Sequence, residues 1–232
     1  MRRKFLFLIF LVLFIVFFLT VGKMPAINTY QRTAEYFHNK SVQKSLGELP
    51  TVKKVQEVLK EEKDINVDAK FYLRVEGTNI NYPVMHTDNN TFYLDHNKYK
   101  KYNINGSIFL DKDNKGIDDK HLVIYGHRMS FGTMFNRLID VLKNKDNKII
   151  VYTSEGEEIY NLIGGFYVDE YDNYRKVNFE DEEDFKAWKK SRNLPNYDKI
   201  ITLSTCTVDD DSKRFIVVGG KNTIKEEDGW MD

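Results

Sequence analysis

Ile200-Ile201-Thr202-Leu203-Ser204-Thr205-Cys206, then Thr207-Val208-Asp209-Asp210-Asp211-Ser212, then Arg214-Phe215-Ile216-Val217-Val218: this stretch decides the fold. Two runs rich in β-branched residues flank a polar Asp- and Ser-containing loop, which is the signature of two short strands. The same texture recurs upstream in Phe71 to Val75, Ile80 to Met85, Ser107 to Leu110 and Leu122 to Tyr125. Ile149 to Thr153 and Ile159 to Val168 add two more, joined by Ser154-Glu155-Gly156-Glu157, a hairpin signal. About eight strands with few helices predict a mainly β domain closed into a barrel.

Helical spacing appears in three places. Val52, Val55, Val58 and Leu59 share a face opposite Lys and Glu, with Thr51 as the expected N-cap. Met134 to Leu142 alternates like a short helix, and Phe179 to Arg192 reads as another, with Phe179, Phe185 and Trp188 as its apolar positions. The acids Glu180 to Asp184 suit the first turn of that helix. Asn39 to Gly47 is polar and divides the region 27–64 into two helices. Three segments are therefore expected: 1–26, 27–64 as a helical N-terminal region, and 65–232 as the barrel.

Residues 1–4 read Met-Arg-Arg-Lys, and Phe5 to Val21 carries no charge. As a helix that run spans roughly 26 Å, near the lower limit for crossing a bilayer. The absence of any polar face argues against a buried core helix. A cleaved signal peptide needs a shorter apolar core and a small-residue cleavage site, and Val21-Gly22-Lys23-Met24 is a poor one. The expectation is an uncleaved anchor, with the basic tip inside and the remainder on the extracellular side of the cell membrane. Composition agrees with a packed domain: 41% hydrophobic and 30% charged residues. Lys plus Arg equals Asp plus Glu at 35 each, so no electrostatic footprint for nucleic acid exists.

The chain has one cysteine. A lone cysteine is commonly a small buried hydrophobe. Here it belongs to a chain expected to be exported, it ends a strand, and Arg214 opens the next strand after a short loop. If the two strands pair, a permanent cation lies beside the thiol, favouring the thiolate and able to stabilise an oxyanion. A thiol nucleophile also calls for a histidine. Among His38, His86, His96, His121 and His127, the last follows Leu122-Val123-Ile124-Tyr125-Gly126, at a strand edge beside a flexible glycine. His38 falls in the helical region, and His86, His96 and His121 sit in polar surroundings that suggest the surface.

These positions together resemble the sortase family. Leu203-Ser204-Thr205-Cys206 is similar to the sortase cysteine signature, Tyr125-Gly126-His127 to its histidine motif, and Arg214 to its arginine. Ile80-Asn81-Tyr82-Pro83-Val84, Asn90-Thr91-Phe92-Tyr93-Leu94 and Gly106-Ser107-Ile108-Phe109-Leu110-Asp111 look like class B members, as do the helices before the barrel and the helix before the cysteine strand. The resemblance covers roughly residues 30–222. It implies an eight-stranded sortase-type barrel and a cysteine transpeptidase. Such an enzyme cleaves a C-terminal sorting signal after Thr, holds a surface protein as a thioester, and transfers it to an amine, usually on the peptidoglycan precursor. Cys206 is then the nucleophile, His127 the general acid or base, and Arg214 the group that orients substrate and stabilises the oxyanion. Asn90, Tyr125 and Ser204 match positions lining the sorting-signal groove, and the Thr207 N–H is a candidate oxyanion donor. A pilin-polymerising role, a thiol hydrolase and a non-enzymatic anchored binding module stand as alternatives.

No cofactor or metal is expected. The histidines fit no zinc spacing, and Asp209-Asp210-Asp211 and Glu180 to Asp184 are explained as a solvated loop and a helix start.

Overall fold

The structure, a computed structural model, describes residues 51–129, 132–206 and 212–223, together with scattered helical positions between 9 and 41. It forms two compact units, Met1–Ser45 and Leu46–Asp232. In the first, the described positions from 29 to 41 are helical, and Thr33 Oγ1 donates to the Thr29 carbonyl at 2.7 Å. The apolar run expected to cross a membrane lies outside the described residues except for Ile9, Phe10 and Val12. Among the described residues no helix is long and apolar enough to cross a membrane. His38 also lies outside the described residues.

The second unit opens with α1 (Val52–Ile65), capped by Thr51, whose side chain accepts from Lys54 N–H. Val55, Leu59 and Glu62 face inward at helical spacing, and the helix packs on the barrel. Glu62 is partnered by Lys98 at 2.6 Å, which makes its burial tolerable.

All eight expected strands form: β1 (Ala69–Val75), β2 (Asn81–Met85), β3 (Ile108–Leu110), β4 (His121–Tyr125), β5 (Lys148–Tyr152), β6 (Glu157–Asp169), β7 (Lys199–Cys206) and β8 (Lys213–Lys221). They close a barrel in the order β1-β2-β3-β4-β7-β8-β6-β5. β2 with β3 and β4 with β7 are parallel pairs. The β5–β6 hairpin turns at Ser154 to Gly156, where Thr153 N–H donates to the Gly156 carbonyl at 2.7 Å.

Alternation along the strands separates two cores. Leu122, Ile124, Ile201, Leu203, Phe215 and Val217 point into the barrel. Ile200, Ile216 and Val218 point outward, where Tyr174, Phe185 and Trp188 cover them. Two-sided burial explains why β4 and β7 read as continuous apolar runs. The covering helix α2 (Glu182–Ser191) starts later than its apolar pattern suggests. Asp181 caps it by accepting from Asp184 N–H at 2.9 Å, while Phe179 lies before the cap and packs its ring on Phe185 and Trp188. The acids in its first turn are therefore a helix start, as expected.

Two expectations need correcting. Met134 to Leu142 is not one helix. Met134 sits at φ 52, in the left-handed region, and only Leu138–Lys143 forms a 3₁₀ helix. His121 is not on the surface but fully buried. It faces outward from β4 into the space that α2 and the segment before it cover, and its ring lies 4.6 Å from Trp188.

Candidate active site

The β4–β7 pairing sets Tyr125 beside Ser204, and Gly126 N–H continues the ladder by donating to the Ser204 carbonyl at 3.1 Å. His127 therefore leaves β4 at the level where β7 ends. On the other side of β7, the β7–β8 ladder puts Cys206 opposite Arg214 as direct register partners. Such partners have Cα atoms about 4.5–5.5 Å apart. Backbone register alone thus gathers the histidine, cysteine and arginine positions at one rim of the barrel.

Gly126 is there for space rather than flexibility. A Cβ at that position would collide with Ile108 Cδ1 and lie 2.8 Å from the Phe135 ring. The chain beyond it is tied back, since Phe135 N–H donates to the His127 carbonyl at 2.9 Å. The half-buried His127 ring places Nε2 2.6 Å from the Leu94 carbonyl oxygen. A carbonyl can only accept, so Nε2 carries a proton, and Nδ1 is the acceptor nitrogen of the neutral ring.

Arg214 is engaged on two sides. Its Nη2 donates to Glu170 Oε2 at 2.6 Å and its Nη1 to the Lys213 carbonyl at 2.9 Å. Glu170 directly follows β6, whose Val168 is the register partner of Arg214.

Asn90 and Tyr125 converge on a residue the sequence reading gave no role. Tyr125 Oη donates to Asp111 Oδ2 at 2.7 Å, and Asn90 Nδ2 donates to the same oxygen at 3.0 Å. Asn90 Oδ1 accepts from Lys112 N–H at 2.7 Å, so both ends of its amide are oriented. Asp111 is 4% exposed, and its other oxygen accepts from Asp113 N–H at 2.9 Å. Burial first, and then the Asp111 charge, push the Tyr125 hydroxyl far above its ordinary pKa. It stays protonated, with its hydrogen directed at Asp111. Ser204 is buried, and its hydroxyl pairs with Tyr174 Oη at 2.9 Å beneath the 3₁₀ turn Asn173–Arg175. Thr207 and Asp209 to Asp211 lie outside the described residues.

His121 links this platform to the segment before α2. Its Nδ1–H donates to the Lys176 carbonyl at 2.8 Å, and Thr202 Oγ1 donates to its Nε2 at the same distance. Burial lowers its pKa to about 4, opposed by the Lys176 carbonyl bond and assisted by the Arg192 charge. Asp111, Glu170 and Tyr174 all escaped the sequence reading. Only Asp111 left a signal, as the acid closing an otherwise apolar strand run.

The sortase domain family model matches residues 73–222. Sortase B of Staphylococcus aureus is 31% identical over 171 residues, covering 66% of this chain and 70% of that protein. Sortase B of Listeria monocytogenes is 30% identical over 190 residues, covering 74% and 76%. The X-ray structure of Clostridium perfringens sortase B superposes with a TM-score of 0.62 at 32% identity, over 69% of this chain and 97% of that one. A barrel of this order, these motifs on adjoining strand ends and these relatives lead to one conclusion: the chain belongs to the sortase family of transpeptidases, on its class B branch.

Proposed function

We propose that this enzyme anchors surface proteins to the cell wall, working from the outer face of the membrane on a tether formed by residues 5–21. It cleaves a C-terminal sorting signal after Thr and passes the acyl group to a peptidoglycan amine. The observation that carries the reading is the register: Tyr125 beside Ser204 and Cys206 opposite Arg214 gather the histidine, cysteine and arginine positions on three adjacent strand ends.

In this mechanism the Cys206 thiolate attacks the threonine carbonyl carbon, and the carbonyl π electrons move onto oxygen. The Arg214 guanidinium and the Thr207 N–H stabilise that oxyanion. The intermediate collapses, the C–N bond breaks, and the leaving amine takes a proton from the His127 imidazolium. A thioester remains, which conserves the acyl potential for an amine acceptor. The acceptor amine attacks it, gives its proton to neutral His127, and releases Cys206 as thiolate. Asn90 and Tyr125, fixed by Asp111, line the groove that receives the signal peptide.

Quenched fluorescent pentapeptides of the x-P-x-T-x type, incubated with the full chain and its Cys206→Ala variant, test this. Triglycine and a lysine-bearing peptide serve as acceptors, and mass spectrometry follows adducts. The expected result is cleavage after Thr that depends on Cys206, a thioester adduct, and an amide product when acceptor is present. Water as the sole acceptor at every amine concentration would identify a hydrolase instead.

A further inference from the structure

Arg214 lies on β8, between the cysteine strand β7 and β6. Its Nη2 is bonded to Glu170 Oε2 at 2.6 Å. Glu170 is itself fixed through its backbone. Its N–H donates to the Ser212 carbonyl at 2.9 Å, and its carbonyl accepts from Arg175 Nη2 at 2.6 Å. Ser212 is where the chain returns from the loop after Cys206, and Arg175 belongs to the turn ahead of α2. The carboxylate is thus placed by three elements at once and delivered to the cation beside the cysteine position.

The side chains of the pair are 23% and 27% exposed, so the bond adds little to folding. Its effect on the cation is larger. A carboxylate at this distance orients the planar fork and cancels part of its field.

We propose that Glu170 is a positioning residue that aims Arg214 and sets how much of its charge reaches Cys206. This rests on Arg214 being the cation of the acyl-transfer step. Glu170→Gln keeps an acceptor oxygen for Nη2 but removes the negative charge, whereas Glu170→Ala removes both.

The test uses the full chain, in which Cys206 is the only thiol, so iodoacetamide alkylation reports on that site alone. Steady-state kinetics with a cleaved pentapeptide and the pH midpoint of alkylation are measured for each variant. Glu170→Ala should lower kcat about tenfold or more while KM stays within about threefold, because the loss falls on transition-state contacts. Glu170→Gln should hold kcat within about threefold of wild type and move the alkylation midpoint down by roughly half a pH unit or more, since the unneutralised cation favours thiolate. In an Arg214→Ala background that downward shift should shrink by about half or more, as the two side chains act as a coupled pair.

Wild-type kcat in Glu170→Ala, an unmoved midpoint in Glu170→Gln, or a shift of undiminished size without Arg214 would each overturn the proposal. If Glu170→Ala does not fold, the midpoint data decide alone. Failure of wild type to cleave any peptide would count against the sorting reaction, and the alkylation midpoints would still judge Glu170.

Discussion

The proton on His127 Nε2 points to the Leu94 carbonyl, so in the proposed reaction exchange with an amine falls to Nδ1. That division of labour needs a nucleophile nearby, and Cys206→Ala should abolish peptide cleavage while leaving the melting temperature within about 2 °C of wild type, because a strand-end methyl for thiol exchange removes little packing. A large drop in thermal stability, read by circular dichroism, would give the residue a core role instead. Arg214→Lys should reduce kcat/KM by about 10- to 100-fold, since an ammonium cannot span Glu170, the Lys213 carbonyl and an oxyanion as a planar fork does. Wild-type rates in that variant would remove Arg214 from oxyanion stabilisation. The positions of His127, Cys206 and Arg214 stand out in the sequence because each borders an apolar run. Glu170 and Asp111 were not, because what marks them is contact across 44 and 21 positions of chain, which no local pattern encodes.

Among the elements, β4 matters most for the site, since its last residue pairs with Ser204 of β7 and the chain leaving it carries His127. Gly126→Ala should cost about 1–3 kcal/mol in denaturant unfolding by overpacking against Ile108 and Phe135. It should also depress activity more than stability, because His127 is the next residue. A variant as stable and active as wild type would show that the neighbouring side chains yield freely. The strands were readable from their β-branched texture and the turn residues between them. His121 was misread for a specific reason: next to Lys120 and before an apolar run it resembles a polar strand flank. Only the cover supplied by Trp188 and the 176 carbonyl makes its position interior. α2 was placed too early because Phe179 continues the apolar pattern of the helix without belonging to it.

For the molecule as a whole, His121 ties stability to pH. Its pKa is lowered from 6.5 to about 4 in the folded chain. Between those values the unfolded chain binds a proton that the folded one refuses. Stability from this residue is therefore complete above pH 6.5 and is lost as pH falls toward 4. The full shift is worth about 3 kcal/mol. Urea titrations from pH 7 to 4 should show wild type losing stability more steeply than His121→Gln. Parallel curves for the two proteins would mean that the imidazole does not carry the acid limb.

The barrel order has a consequence for how the enzyme comes into being. β7 is flanked by β4, made much earlier in the chain, and by β8, made last. A chain growing from its N-terminus makes β1 to β6 with the edges of β4 and β6 still open, and only β7 and β8 fill the gap between them. The histidine waits on a finished strand while its partners are still being synthesised. On the proposed mechanism, catalytic competence is thus withheld until β8 has been made, and a chain truncated before β8 has a thiol without its cation and a sheet without its closure.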